Sequence, residues 1–120
     1  MKKKILIVDD EPNIIMSLEY TFKKNNFEVF IARDGQEALD ILQHEVPHVI
    51  ILDVMMPNVD GYATLEEIKK DDKLKNCKVI FLSAKNKETD IQKGLDLGAS
   101  AYMTKPFSLK KLIDQVNELL

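Results

Sequence analysis

Three short runs constrain this chain more than anything else in it: Ile5-Leu6-Ile7-Val8, Val49-Ile50-Ile51-Leu52 and Val79-Ile80-Phe81-Leu82. Each is continuously apolar and rich in β-branched residues. A strand with one wet face alternates polar and apolar positions. A strand with no polar position must be covered on both faces, which is the situation of a parallel sheet between two helical layers. Parallel neighbours need long crossovers, usually helical. The intervening segments supply them. Ile15, Leu18 and Phe22 recur at helical spacing after Pro12, which suits a first helical turn. Ala38, Leu39 and Leu42 follow Asp34-Gly35, and Tyr62, Leu65 and Ile68 follow Asp60-Gly61, a turn that opens the third helix. Ile91 and Leu95 lie one turn apart in the fourth. Leu109, Leu112, Ile113, Val116 and Leu120 follow Ser108, a good N-cap residue. Phe27 to Ile31 carries Glu28 inside the run and reads as an edge strand, and residues 100–103 supply a fifth strand by position. Strand then helix, five times over, predicts an α/β domain: a three-layer, doubly wound (βα)5 unit with helices on both faces of a five-stranded parallel sheet.

Length leaves room for one such domain, residues 1–120, and no second. No apolar run exceeds four residues, so nothing in the sequence spans a bilayer as a helix. The basic start, Lys2 to Lys4, is followed by an apolar stretch that stops at Asp9-Asp10, too short for a secretory signal. A net charge of −3 and a pI near 5.4 exclude a domain that coats nucleic acid by itself. The single cysteine, Cys77, has no internal partner; it reads as a surface thiol in a reducing cytoplasm. His44 and His48 flank Pro47 without metal-ligand spacing.

The polar residues are informative by where they fall. Asp9-Asp10 end the first strand, Asp53 the third, Ser83 the fourth and Thr104-Lys105 the fifth. Open α/β sheets bind ligands at the carboxyl ends of their strands, so Asp9, Asp10, Asp53, Ser83 and Lys105 converge on one pocket. Three neighbouring carboxylates require a raised pKa or a bound cation. Oxygen donors alone select a hard ion, Mg²⁺ or Mn²⁺, which keeps positions open for a phosphate. An ammonium and a hydroxyl beside them suit a phosphoryl group, with a carboxylate as nucleophile.

These residues also sit in motifs. Ile-Leu-Ile-Val-Asp-Asp-Glu-Pro (5–12), Ala-Arg-Asp-Gly-Gln-Glu-Ala-Leu (32–39), Leu-Asp-Val-Met-Met-Pro-Asn-Val-Asp-Gly (52–61), Leu-Ser-Ala (82–84), Gly-Ala (98–99) and Lys-Pro-Phe (105–107) occur in order. In this the chain resembles, end to end, the receiver domain of bacterial two-component response regulators. The resemblance implies a flavodoxin-like sheet of order 2-1-3-4-5. It implies that Asp53 accepts a phosphoryl group from a sensor histidine kinase or a histidine phosphotransfer protein. Asp9, Asp10, Asp53 and the backbone carbonyl of Met55 would serve a Mg²⁺ or Mn²⁺ ion, Asp9 partly through water. Ser83 and Lys105 would bond the phosphoryl oxygens, and Tyr102 would turn inward with Ser83 as the switch. Pro57 and Gly61 would shape the loop after Asp53, and the Lys105-Pro106 bond would be cis. Met55 and Lys85 would tune the lifetime of the phosphorylated state.

Such a chain is a cytoplasmic signalling switch that assists its own phosphorylation and dephosphorylation, not a turnover enzyme. The fourth helix, fifth strand and fifth helix would form the surface for a homodimer or an output partner, with no direct contact to nucleic acid or membrane. Two rivals fit less well. A haloacid-dehalogenase-type phosphatase needs a second aspartate where Met55 stands, and a flavodoxin-type cofactor binder needs a phosphate loop where Asp9-Asp10-Glu11-Pro12 stand. Whether the receiver stands alone or belongs to a longer regulator or kinase stays open in the sequence.

Overall fold

The structure, a computed structural model, describes residues 2–120. The elements run β1 (Lys3–Val8), α1 (Pro12–Lys24), β2 (Phe27–Ala32), α2 (Gly35–Leu42), β3 (Val49–Leu52), α3 (Gly61–Lys70), β4 (Lys78–Ser83), α4 (Glu88–Asp96), β5 (Ala101–Thr104) and α5 (Leu109–Leu119). The strands are all parallel, in the order β2-β1-β3-β4-β5. That is the flavodoxin-like receiver arrangement, and it puts β2 on an edge as its internal glutamate suggests.

The apolar runs work as two interleaved sets, because successive residues of a strand face opposite ways. Leu6, Val8, Ile50, Leu52, Val79 and Phe81 pack against Ala38 and Leu42 of α2 and Leu65 and Ile68 of α3. Ile5, Ile7, Val49, Ile51, Ile80 and Leu82 pack against Leu18 and Phe22 of α1 and Leu112 and Val116 of α5. Each Val, Leu, Ile or Phe side chain so buried contributes about 1.5–3 kcal/mol. Helix starts follow local chemistry. The side chains of Asp34, Asp60 and Ser108 accept backbone N–H bonds from Glu37 (2.8 Å), Ala63 (2.8 Å) and Lys111 (3.3 Å). The N-cap of α1 is different: Glu11 makes no capping bond there.

Three expectations need correction. The fifth strand begins one residue later than its position suggested. In α4 the helical spacing rested on Ile91 and Leu95, yet Leu95 is 39% exposed and Gly94 is the residue buried. The rings of Phe81 and Tyr102 come so close that a Cβ at Gly94 would lie 2.9 Å from both, so the helix turns its glycine inward. Finally, Cys77 is buried rather than a surface thiol. The turns at Leu74 N to Asp71 O (3.0 Å) and Cys77 N to Leu74 O (2.9 Å) fold Leu74 and Cys77 under the sheet, into the cluster of Val79.

Candidate functional site

The parallel ladder continues one residue past β1, β3 and β5. Asp9 N donates to Ala32 O at 3.1 Å, Asp53 N to Val8 O at 3.0 Å, and Lys105 N to Ser83 O at 2.8 Å. The backbone of each polar residue is therefore fixed by its neighbour strand before any side chain acts. Asp9 and Asp53 are almost fully buried, whereas Asp10 is exposed. One carboxylate oxygen from each of the three lies within 4.8 Å of the others.

Lys105 reaches into this cluster. Its Nζ donates to Asp9 Oδ2 at 2.9 Å, Glu11 Oε1 at 3.2 Å and Asp53 Oδ2 at 3.4 Å. The second oxygens are held by backbone: Asp9 Oδ1 accepts from Glu11 N (2.9 Å) and Asp53 Oδ1 from Met55 N (3.4 Å). Burial pushes the Asp53 carboxyl above its usual range. Lys105 pulls it back, but Asp9 adds a push in the same direction as burial. For Lys105, burial is the largest influence and favours the neutral amine. The bond to Asp9 and the charges of Asp53 and Asp9 together outweigh it, and the ammonium is held above its ordinary value.

The donor set therefore leaves negative charge uncompensated, since one ammonium serves Asp9, Glu11 and Asp53 while Asp10 stands beside them. Oxygen-only donors with excess negative charge fit a hard divalent cation. The acidic cluster can hold such an ion.

Ser83 and Tyr102 form a second group, centred on Lys85. Ser83 Oγ is fully buried and accepts from Lys85 N at 3.2 Å, and Tyr102 O–H donates to Lys85 O at 2.8 Å. The Lys85 side chain lines a groove of about 460 Å³ with Asp10, Met55, Pro57, Tyr62 and Lys93. Met55 stands 58% exposed at its edge. Gly61 sits so close under the site that a Cβ would overlap the Asp53 carbonyl oxygen. The Lys105-Pro106 peptide is cis.

Two participants escape the sequence. Glu11 is visible there only as part of the acidic motif; its failure to cap α1 frees it for Lys105. Lys93 gives no signal, since only the fold brings its Nζ to 4.5 Å above the Tyr62 ring.

Comparison with known proteins agrees with this layout. The family model described as the response regulator receiver domain matches residues 5–117. The receiver domain of the Francisella response regulator 1452 is 36% identical, with a TM-score of 0.91 over 98% of this chain and 96% of that one. The Vibrio cholerae chemotaxis response regulator CheY4 is 29% identical, with a TM-score of 0.93 over the whole of both chains. The Mn²⁺-bound form of response regulator Rcp1 is 31% identical, with a TM-score of 0.82 over 98% of this chain and 91% of that one. The chain belongs to the family of response regulator receiver domains of two-component systems.

Proposed function

We propose that this receiver is switched by transfer of a phosphoryl group from a phosphohistidine, on a sensor kinase or a phosphotransfer protein, to Asp53. The observation that carries the reading is the position of Asp53. It is a buried carboxylate on the central strand, within 4.8 Å of two further carboxylate oxygens and 3.4 Å from a lysine ammonium.

A carboxylate oxygen of Asp53 attacks phosphorus, the P–N bond breaks, and the imidazole leaves with its electron pair and takes up a proton. Little covalent chemistry is asked of the protein, so positioning and charge neutralisation dominate. Backbone bonds fix the carboxylate through Asp53 N and Oδ1. Lys105 faces the arriving phosphoryl oxygens, and Asp9 and Glu11 hold its Nζ in place. Asp9, Asp10 and Asp53, with the Met55 carbonyl, would hold Mg²⁺ or Mn²⁺, which supplies Lewis-acid neutralisation of the phosphoryl oxygens. Rcp1, a relative by fold and sequence, is described with Mn²⁺. Ser83 and Tyr102, both bonded to the Lys85 backbone, then carry the change outward. The surface of α4, β5 and α5 is the face for an output partner or a second copy.

Incubation with acetyl phosphate and Mg²⁺, followed by intact mass measurement, tests the reading. One added phosphoryl group is expected, absent in Asp53→Asn. No adduct, or an adduct that survives the substitution, overturns it.

A further inference from the structure

The groove beside the acidic cluster runs from Asp10, a member of that cluster, to Lys93 of α4, and the buried Val54 and Tyr62 also line it. Its charged residues are two acids and two lysines. The acids are committed elsewhere. Asp60 Oδ1 caps α3 by accepting from Ala63 N at 2.8 Å, and Asp10 belongs to the donor set for a cation. The lysines are not committed: among the described residues, neither Lys85 nor Lys93 forms an ion pair. Lys93 is restrained all the same, its Nζ 4.5 Å from the centroid of the Tyr62 ring. That ring is itself fixed. It packs edge-on against Phe81, centroids 5.5 Å apart, and its O–H donates to Asp90 O in the first turn of α4 at 3.0 Å. An aromatic face restrains an ammonium without cancelling its charge. Lys85 is fixed by its backbone, which donates to Ser83 Oγ at 3.2 Å and accepts from the Tyr102 O–H at 2.8 Å.

We propose that Lys85 and Lys93 receive an acidic side chain that the phosphodonor protein carries beside its phosphohistidine, with Lys93 as the specificity-determining residue. This rests on the proposed transfer to Asp53 and names a further feature of the donor. A surface ion pair is too weak to hold a free anion. A carboxylate on the same molecule as the reacting imidazole needs no separate association, so its attraction adds directly to docking. A divalent ion in the acidic cluster would offset Asp10 and leave the two ammoniums as the uncompensated charges beside the acceptor. Two surface ion pairs correspond to about threefold in rate.

Two synthetic phosphohistidine peptides test the proposal, identical except that glutamate or glutamine flanks the phosphohistidine on both sides. Transfer to the protein in Mg²⁺ is followed by intact mass, and the ratio of the two rates is taken for each variant. A general loss of folding or reactivity cancels in that ratio. Wild type is expected to react about threefold faster with the glutamate peptide. In Lys93→Gln the ratio should fall toward one, and Lys93→Arg, which keeps a cation for the Tyr62 ring, should restore it. Lys87→Gln removes an exposed cation at the N-cap of α4 that does not line the groove, and should leave the ratio as in wild type. Equal or slower reaction of wild type with the glutamate peptide overturns the proposal. So does a ratio unchanged in Lys93→Gln, one that Lys93→Arg fails to restore, or one that falls as far in Lys87→Gln. Failure of the phosphorylation reading has a separate signature: neither peptide yields an adduct that Asp53→Asn abolishes.

Discussion

Replacing Asp53 by asparagine is expected to stabilise the folded protein at pH 7, although it removes the residue at the centre of the site. Asp53 Oδ2 lies 3.4 Å from Lys105 Nζ, an attraction of about 5 kcal/mol at an effective dielectric near 20. An Asp9 oxygen within 4.8 Å opposes it by about 3.5 kcal/mol on the same scale. Asp10 adds a weaker repulsion, because it is exposed and screened. The small attraction that survives must offset the removal of a carboxylate from water, which costs several kcal/mol. Burial wins, in keeping with the upward displacement of the Asp53 pKa. Asparagine keeps an oxygen for Met55 N and leaves Lys105 with Asp9 and Glu11. The expected gain is about 1–2 kcal/mol, or about 5 °C in Tm.

The sign of the pH dependence follows. The folded pKa of Asp53 is raised, so its contribution is most favourable below the ordinary carboxylate value and is lost as pH rises through the folded pKa. Wild type therefore carries the full cost at pH 7 and sheds it on acidification, and the advantage of Asp53→Asn should close as pH falls. Mg²⁺ should close it from the other side, since an ion bound at a hundredfold excess over its Kd stabilises the wild-type fold by about 2.7 kcal/mol. Urea titrations of both proteins at pH 7 and pH 4, with and without Mg²⁺, read all three effects. A variant less stable than wild type at pH 7, or a gap indifferent to pH and Mg²⁺, refutes the reasoning.

Gly61→Ala should cost about 3 kcal/mol or more, roughly 10 °C in Tm. The new Cβ would meet the Asp53 carbonyl and lie 2.8 Å from Val54 Cα, backbone atoms that cannot swing away. A loss below about 1 kcal/mol would contradict the close packing, that being the lower bound for overpacking. Met55→Asn should shorten the life of the phosphorylated protein several-fold if the exposed methionine at the groove edge shields the proposed aspartyl phosphate from water. Unchanged or slower decay of the phosphorylated mass would count against this. The buried Cys77 thiol, pushed upward in pKa by its burial, should react with a disulfide reagent far more slowly than a free thiol, and faster as urea is added. A rate near that of free cysteine would show the site to be open.

The sequence made the centre of the molecule legible and its margin much less so, for a physical reason. Continuous runs such as Ile5-Leu6-Ile7-Val8 permit few environments, and the carboxyl end of each run marks where a polar residue emerges. Asp9, Asp53 and Lys105 therefore converge as their strand positions imply. Alternation within a run also sorts Ile5 and Leu6 into separate layers without further information. The turn around Cys77 and the facing of α4 depend instead on packing between distant segments. The one-turn spacing of Ile91 and Leu95 cannot show that the rings of Phe81 and Tyr102 leave room only for glycine. Glu11 was hidden because it lies past the strand end at which a polar residue emerges, and only the fold brings it to Lys105.

That division has a functional meaning. Asp9 and Asp53 extend β1 and β3, whose apolar runs are buried on both faces, so these two carboxylates are held where local opening is least favourable. Tyr102 lies on β5, an edge strand whose residues are all half-buried, and α4 beside it buries only a glycine. These elements have the least apolar burial to lose by moving, so a gain or loss of one hydrogen bond is large enough to reset them. A switch needs a fixed input and a movable output, and the unequal distribution of apolar residues along the sheet provides both. Adding a side chain at Gly94, on the face of α4 that meets the sheet, would then disturb Tyr102 before Asp53, since Tyr102 and Phe81 are the groups that the new atoms would meet.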